Sequence, residues 1–325
     1  MKVARERIGR IHRYSSALDQ LIDPAAEIEL LASGFTWSEG PVWIADGGYL
    51  LLSDVPANRM YLWSETDGLS VFLDPSGFEG PDSSAFREPG SNGLIAGPDG
   101  SILMCDHGKR AVVRLDLATK KKTFLATHFD GRKFNSPNDL VLAQDGAIYF
   151  TDPPYGLEGL NDSPIKEQPF NGVYRLGPDL TVTLVDADMS FPNGILLSPD
   201  GRTLFVANSD PRAAIWVAFD LDSAGRAISR RVFADVTDTV GEAMPGLPDG
   251  MAIDEAGNLW ATGPGGVLIF SADGELLGRI DMDSAVANCA FGEDGSTLFL
   301  AAHDRLARVR TRTRGLNLDP RRATP

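Results

Sequence analysis

A short two-strand unit recurs along this chain, and it limits the possible folds more than any other feature of the sequence. Its clearest copy spans residues 191–208, FPNGILLSPDGRTLFVAN. Near its start is the polar residue Asn193. An apolar run follows, then a turn at a Pro-Asp-Gly sequence, and then a second apolar run. Proline sets φ and glycine supplies the positive φ of a tight turn, so the unit predicts two antiparallel strands.

Further copies of this unit follow the same plan, and each opens with a polar corner residue just before its first apolar run. The corners lie about 40–55 residues apart, and most hairpins are followed by two more segments of strand length. Four strands per repeat at this period are typical of β-propeller blades, so we predict an all-β fold with six blades. The corners are Glu39, Asn92, Asn138, Asn193, Asp249 and Asn288.

The repeats also set the expected domain boundaries. Residues 35–312 should form the propeller as one closed domain, because no Pro/Gly/Ser-rich linker separates the units. The last blade runs out after Arg310, so ring closure needs an outer strand from near residues 27–31. We therefore expect residues 1–34 to be an N-terminal extension that partly closes the ring, and residues 313–325 to be a C-terminal tail.

Composition excludes several classes of protein. The 325 residues include 34 glycines and 21 prolines, which favours many turns and short strands. The formal net charge of −15 argues against a nucleic-acid partner or an anionic membrane surface. No apolar run approaches the roughly 18 residues of a membrane span, and the N-terminus lacks the apolar core of a signal peptide, so we expect a cytoplasmic protein. Cys105 and Cys289 lie in apolar runs without a CxxC motif, which predicts buried free thiols.

Hairpin geometry brings the corners together. If each corner begins the innermost strand of its blade, the corner side chains converge at one end of a central channel. The next strand returns to the same face, so a second polar ring is expected about 14–15 positions after the corners. This second ring comprises Asp54, Asp106, His107, Asp152, Asn208, Thr262, His303 and Asp304.

The corners offer oxygen ligands to a metal ion. Glu39 and Asp249 contribute carboxylates, and Asn138 and Asn193 contribute amide oxygens. Hard divalent cations prefer such ligands, and Ca²⁺ tolerates irregular coordination completed by water. Ca²⁺ therefore fits best, with Mg²⁺, Mn²⁺ or Zn²⁺ as alternatives. Asn-Gly and Asp-Gly are also turn formers, so each corner could instead only cap a loop, although glutamate is a poor turn residue.

Several segments of the chain resemble the SMP-30/gluconolactonase/regucalcin family, and they occur in the order expected of it. They are SEGPVW at 38–43, SPNDL at 136–140, FTDPPYG at 150–156, FPNG at 191–194 and LPDGM at 247–251. The FTDPPYG segment and the insert after it are most similar to the bacterial gluconolactonase branch. The resemblance implies a six-bladed propeller whose central divalent cation is held by Glu39, Asn138, Asn193 and Asp249. It also implies that Asp249 is the catalytic acid/base.

The expected activity is metal-dependent hydrolysis of sugar lactones, such as D-glucono-1,5-lactone to gluconate. A cation on the lactone carbonyl stabilises the negative charge of the transition state, and Asp249 activates water or protonates the leaving hydroxyl. Side chains near the corners are candidate substrate ligands. They are Asn92, Asn138, Asn208, His107, His303 and Tyr155.

Three of these candidates have structural alternatives. His107 and His303 could each be a hydrogen-bonded structural residue at the channel rim. Tyr155 follows a rigid Pro-Pro turn, so it could form part of a lid or only pack its loop. Selectivity among lactones is expected to lie in the loops at 75–89 and 157–170.

Two other functions remain compatible with the pattern. A propeller phosphotriesterase would use a similar set of cation and carboxylates. A non-catalytic propeller would bind calcium or partner proteins, but a scaffold does not need carboxylates that converge on its axis. The chain has no Gly-x-Ser-x-Gly elbow, His-Glu-x-x-His motif or Walker loop. We therefore expect a small sugar lactone as the partner, with no nucleic acid and no membrane, while oligomeric state has no signature in the sequence.

Overall fold

A computed structural model describes residues 5–316 and shows six antiparallel sheets arranged as the blades of a propeller. This architecture confirms the predicted all-β, six-bladed fold. The first elements of the chain complete the last two blades rather than forming a blade of their own. They are β1 (Arg7–Ile8), β2 (Arg10–Arg13), the helix α1 (Leu18–Leu21) and β3 (Ile28–Ser33).

The first three blades each contain four strands that follow one another in the chain. Blade 1 contains β4 (Ser38–Ile44), β5 (Tyr49–Asp54), β6 (Arg59–Ser64) and β7 (Gly68–Leu73). Blade 2 contains β8 (Ser91–Ala96), β9 (Ile102–Asp106), β10 (Ala111–Leu115) and β11 (Lys122–Ala126). A two-stranded ribbon, β12 (His128–Phe129) and β13 (Arg132–Lys133), leads to blade 3. Blade 3 contains β14 (Leu140–Leu142), β15 (Ile148–Asp152), β16 (Gly172–Leu176) and β17 (Val182–Asp186), with a 3₁₀ turn at Leu160–Asp162.

The last three blades continue the same plan. Blade 4 contains β18 (Pro192–Leu197), β19 (Thr203–Asp210), β20 (Ala213–Leu221) and β21 (Ala227–Asp235), and a 3₁₀ turn follows at Thr237–Thr239. Blade 5 contains β22 (Met251–Ile253), β23 (Leu259–Gly263), β24 (Gly266–Phe270) and β25 (Leu276–Asp281). Blade 6 contains β26 (Asn288–Gly292), β27 (Thr297–Ala302) and β28 (Arg305–Arg310) from this part of the chain.

The N-terminal strands close the ring. Strand β3 pairs antiparallel with β28 and supplies the outer strand of blade 6, and β1 pairs with β3 beyond it. Strand β2 pairs with β25 and covers the edge of blade 5. The junction also carries charge pairing, because Arg308 Nε donates to Glu29 Oε2 over 2.9 Å. The outer strand of the last blade thus comes from the region near residues 27–31, where the repeat pattern required it.

The chain after β28 returns to the body of the propeller. The backbone N–H of Arg312 donates to the carbonyl of Leu21 over 2.7 Å, and that of Leu316 donates to Ile253 over 3.1 Å. Most of the expected tail at 313–325 lies outside the described residues, as do the first four residues of the expected N-terminal extension.

Each pair of neighbouring blades shares its own apolar core. In β5, Leu51 packs towards blade 2 with Met104, whereas Leu50 and Leu52 pack towards blade 6 with Phe299. Successive side chains of a strand point to opposite faces, and both faces of a blade are covered by neighbours. This explains why the inner strands read as continuous apolar runs instead of alternating ones.

Two other sequence expectations can be compared with the described residues. Cys105 and Cys289 are both buried and unpaired, which confirms the prediction of free thiols. Within residues 5–316 no helix is long and apolar enough to cross a membrane.

The second polar ring holds the segments that lead into the corners. The carboxylate of Asp54 accepts the backbone N–H groups of Thr36 (2.9 Å) and Trp37 (3.1 Å) just before Glu39. Asp152 accepts the N–H of Asn135 over 2.8 Å in blade 3. These carboxylates end the second strand of their blades, so the hairpin that begins at a corner also fixes the backbone in front of it.

We expect Asp54→Ala to lower the free energy of unfolding by about 2–4 kcal/mol, because it leaves two backbone donors without their charged acceptor in a buried site. Urea unfolding followed by tryptophan fluorescence measures the change. Asp116→Ala is the matched control, since Asp116 accepts bonds from Thr119 in an exposed turn and should cost under about 1 kcal/mol. Equal losses in the two variants would contradict the structural role of Asp54.

Candidate active site

Three of the amide corners are joined in series across neighbouring blades. Asn92 Nδ2 donates to Asn138 Oδ1 over 2.8 Å, and Asn138 Nδ2 donates to Asn193 Oδ1 over 2.5 Å. Asn193 Nδ2 then donates to Ser209 Oγ over 2.9 Å. The inner strands of three different blades therefore bring these side chains into one polar network, as the repeat pattern predicted.

The glycine after a corner makes room for the next blade. A Cβ atom added at Gly194 would lie 2.1 Å from the carbonyl oxygen of Asp249, and one at Gly250 would lie 2.1 Å from the side chain of Asn288. Real Cβ atoms do not approach other heavy atoms so closely. The recurring Asn-Gly and Asp-Gly pairs are thus a packing requirement between inner strands, and not only a turn signal.

Glu39 is the most enclosed carboxylate of the corners, at 3% exposure. The backbone N–H of Gly40 (2.8 Å) and Nδ2 of Asn288 (3.1 Å) both donate to its Oε2 atom. Despite these donors, burial raises the pKa of Glu39 to about 8, with a further contribution from the negative charge of Asp139. Ionising Glu39 therefore costs free energy when no cation is bound beside it.

Asp249 shares this electrostatic environment. Burial, followed by the negative charge of Glu39 and then that of Asp139, raises the pKa of Asp249 well above its usual range. Burial also raises the pKa of Asp139 itself to about 7. The negative charges of Glu39 and Asp139 thus oppose ionisation of Asp249, and a cation held by Glu39 and Asp249 would relieve that repulsion.

Asn92 carries an unpartnered buried acceptor. The residue is 4% exposed, and within the described chain its Oδ1 atom has no hydrogen-bond donor. Behind it lies His107, which is fully buried, with Nε2 3.4 Å from Asn92 Nδ2. Burial lowers the pKa of His107 to about 4, so its imidazole is neutral and Nε2 can accept from the amide. Asn92 lines the cavity, and its Oδ1 atom is left with unused acceptor capacity.

The corner network forms the floor of a cavity of about 490 Å³, which is within the usual range for small-ligand sites. Its walls differ in chemistry. The polar lining consists of Glu39, Arg87, Glu88, Asn92, Asn138, Tyr155, Asn193, Ser209 and Asp249. The apolar lining consists mainly of Trp37, Pro211, Val240, Met244, Leu247 and Val286.

Comparison with known proteins identifies the family. The profile of the SMP-30/Gluconolactonase/LRE-like region matches residues 37–304. The chain belongs to this family. A gluconolactonase of Zymomonas mobilis is 48% identical over 313 residues, covering 95% of this chain and 88% of that protein.

Two further relatives agree with this assignment. A gluconolactonase structure from Xanthomonas campestris matches with a TM-score of 0.81 and 30% identity, covering 96% of this chain and 98% of that one. A pentonolactonase of Haloferax volcanii is 28% identical, covering 78% of this chain and 77% of that protein. The family resemblance inferred from the sequence is confirmed.

In this SMP-30/gluconolactonase family member, the donor set fits a hard cation. Within residues 5–316, no three His, Cys, Asp or Glu side chains are grouped to hold a metal by themselves. Glu39 and Asp249 nevertheless line the same cavity as the amides of Asn138 and Asn193. Two mutually repelling carboxylates supplemented by amide oxygens are the ligand chemistry that Ca²⁺ accepts.

Asn208 is not brought to the cavity. Its Oδ1 atom accepts the backbone N–H of Phe191 over 2.9 Å, and its Nδ2 atom donates to the carbonyl of Ala213 over 2.8 Å. The next residue, Ser209, lines the cavity instead. Adjacent residues of a strand point to opposite faces, so counting positions along a hairpin could not decide between the two.

His303 also lies outside the cavity lining. Its side chain is 51% exposed, and its ring packs edge-on against Trp37 with a centroid distance of 5.3 Å. Trp37 does line the cavity. The structure therefore places His303 behind a wall residue, and Trp37 is a member of the site that the corner pattern missed although it lies two residues before Glu39.

Tyr155 packs against a neighbouring ring and also reaches the cavity. Its ring stacks on Phe191 with a centroid distance of 5.7 Å and an interplanar angle of 19°, and the side chain also lines the cavity. Burial raises the pKa of Tyr155, so its hydroxyl remains a neutral donor. The residue packs its loop and forms part of the cavity wall.

Arg87 and Glu88 are site residues that the repeat pattern did not identify. They belong to the loop at 75–89, between blades 1 and 2, and both line the cavity. Burial raises the pKa of Glu88 to about 7, although the charge of Arg87 opposes this shift. Loop residues follow no repeat, so only the folded position of the loop could reveal them.

Proposed function

We propose that this chain is a metal-dependent lactonase that hydrolyses sugar lactones such as D-glucono-1,5-lactone to the corresponding aldonic acids. The observation that carries the proposal is the pair Glu39 and Asp249. Both have raised pKa values, and both line the cavity together with the amide corners Asn92, Asn138 and Asn193. Such a pair has little structural use, because buried like charges destabilise a fold.

The class of reaction is that of the family's lactone hydrolases. The chain is a gluconolactonase-type lactone hydrolase, which confirms the enzyme class expected from the sequence. The name of the 48% identical Zymomonas mobilis protein supports a gluconolactone substrate, and that of the Haloferax volcanii relative supports pentonolactones in the same class. We infer that the substrate is an aldonolactone.

We propose that Glu39, Asn138, Asn193 and Asp249 hold the cation, with Ca²⁺ preferred because every ligand is an oxygen. A bound cation would supply Lewis-acid stabilisation of the charge that develops on the lactone carbonyl. This chemistry is worth several kcal/mol in related hydrolytic enzymes, so its loss should be measurable.

The remaining steps belong to the protein's own side chains. Asp249 would take a proton from the attacking water and return it to the leaving ring oxygen. Asn92 would accept a substrate hydroxyl at its unpartnered Oδ1 atom, and Tyr155 would donate from its neutral hydroxyl. Asn138 and His107 would hold Asn92 in place from either side. The apolar wall, with Trp37, would exclude water from the opposite face.

Metal removal tests the proposal directly. In a pH-stat assay with D-glucono-1,5-lactone, chelation with EDTA should lower the enzymatic rate by at least about 100-fold, and excess Ca²⁺ should restore it. Spontaneous hydrolysis measured without protein is the baseline, and a phosphotriester in the same assay tests the alternative substrate class. A chelated enzyme that remains as fast as the Ca²⁺-loaded one would refute metal dependence.

The cytoplasm remains the compartment we propose. It is supported by two buried thiols that are not joined in a disulfide.

A further inference from the structure

The two loops expected to control lactone selectivity are joined to each other by backbone hydrogen bonds. The backbone N–H of Glu158 donates to the carbonyl of Ala85 over 3.0 Å, and that of Arg87 donates to the carbonyl of Gly156 over 3.1 Å. These bonds hold the segment before Arg87 against the segment that follows Tyr155. The backbone that carries Arg87, a residue of the cavity lining, is therefore fixed.

The Arg87 side chain is free to meet a ligand. It is 51% exposed, and within residues 5–316 its sole ion pair is a 3.4 Å contact between Nη1 and Glu88 Oε1. A guanidinium group has five N–H donors in a rigid plane, so this contact leaves most of them available. An exposed pair of this kind contributes little to stability, so the stability of the loop does not explain the residue.

The positive charge of Arg87 also differs from the charges of the other residues that line the cavity. Among the described residues that line the cavity it is the sole Arg or Lys, whereas Glu39, Glu88 and Asp249 are acids. Of these acids, Glu88 is the one in contact with Arg87. Arg87 thus brings a strong hydrogen-bond donor to the cavity lining, next to the carboxyl acceptor of Glu88.

A sugar hydroxyl is both a donor and an acceptor, so a neighbouring guanidinium and carboxyl group match its two roles. We propose that Arg87, oriented by Glu88, hydrogen-bonds the ring hydroxyls of the lactone and sets the preference for hydroxylated over unsubstituted lactones. This inference rests on the proposed function. It adds a selectivity residue outside the corner set that holds the cation.

Kinetics of the Ca²⁺-loaded enzyme test the inference. In Arg87→Met, we expect KM for D-glucono-1,5-lactone to rise about tenfold or more, with kcat within about threefold of wild type, because a contact made equally in ground and transition states is lost. The preference in kcat/KM for gluconolactone over δ-valerolactone, which has no hydroxyls, should shrink by the same factor. Arg87→Lys keeps the charge with fewer directed donors and should give an intermediate KM.

Arg114→Met is the matched control. Arg114 has a similar exposure, 46%, and a similar 3.4 Å contact with Asp99, but it lies outside the cavity lining. It should leave both kinetic constants unchanged. An unchanged KM in Arg87→Met, or equal losses on both lactones, would overturn the role of Arg87 while leaving the lactonase proposal intact. Failure of the wild-type enzyme to hydrolyse gluconolactone would instead refute the proposed function itself.

Discussion

Asp249→Asn should lower kcat for D-glucono-1,5-lactone by about 10³-fold while the protein stays folded. Asparagine has nearly the shape of aspartate, but it cannot take a proton from water and return it to the leaving oxygen. The change also removes one of the mutually repelling carboxyl groups, so the fold should not suffer. A pH-stat assay at saturating Ca²⁺ measures kcat, and thermal unfolding checks the fold.

The assay at saturating Ca²⁺ separates the two roles given to Asp249. If the variant lost only Ca²⁺ affinity and recovered wild-type turnover in excess Ca²⁺, Asp249 would be a ligand without being the acid/base. Asp186→Asn serves as the control, because Asp186 ends β17 and accepts the backbone N–H groups of Asp188 and Met189 outside the cavity lining. It should retain wild-type turnover per folded molecule.

Glu39→Gln should weaken Ca²⁺ binding by about 100-fold and lower turnover at limiting Ca²⁺ in parallel. The substitution removes one of two negative charges from the cation site but preserves an oxygen that Gly40 and Asn288 can reach. In chelator the same variant should be more stable than wild type by about 1–2 kcal/mol, because a buried carboxyl beside Asp139 and Asp249 is costly. Calorimetric titration with Ca²⁺ and urea unfolding in EDTA measure the two effects.

The opposite signs make this prediction specific. If a carboxylate only supports the fold, its removal should lower the free energy of unfolding both with and without Ca²⁺. Glu29→Gln provides that comparison, since Glu29 accepts bonds from Arg7 and Arg308 at the ring closure and should lose stability with or without Ca²⁺. If Glu39→Gln destabilised the metal-free protein and bound Ca²⁺ normally, the cation site would have to lie elsewhere.

Much of the fold could be inferred from the sequence because a propeller repeats one local unit. The corner, the apolar run, the turn and the return strand depend on contacts between residues close in the chain, and these leave a periodic signal. Ring closure could also be inferred from the sequence, because the last blade lacks an outer strand and the N-terminal region has to supply that strand. The glycine after several corners was visible too, but its role in letting the neighbouring blade approach became clear only from the packing at Gly194 and Gly250.

The side of a strand on which a residue lies was harder to infer. Asn208 and Ser209 are neighbours at the same end of β19, yet Ser209 reaches the cavity and Asn208 holds the backbone of Phe191. A register shift between Pro192 and Ile195 changes the alternation in the paired strand. Such a bulge has no distinct signature in composition, so counting positions found the end of β19 that meets the cavity but not which residue there lines it.

The number of blades, the inward corners and the acidic, oxygen-rich chemistry of the channel end follow from the amino-acid sequence, because these features repeat and depend on local hairpins. The residues that surround them are set by tertiary contacts. Arg87 and Glu88 come from a loop that follows no repeat. His107 lies behind Asn92 because long-range packing holds it there. Long-range contacts depend on how whole blades pack, and this packing leaves no periodic pattern in a single sequence.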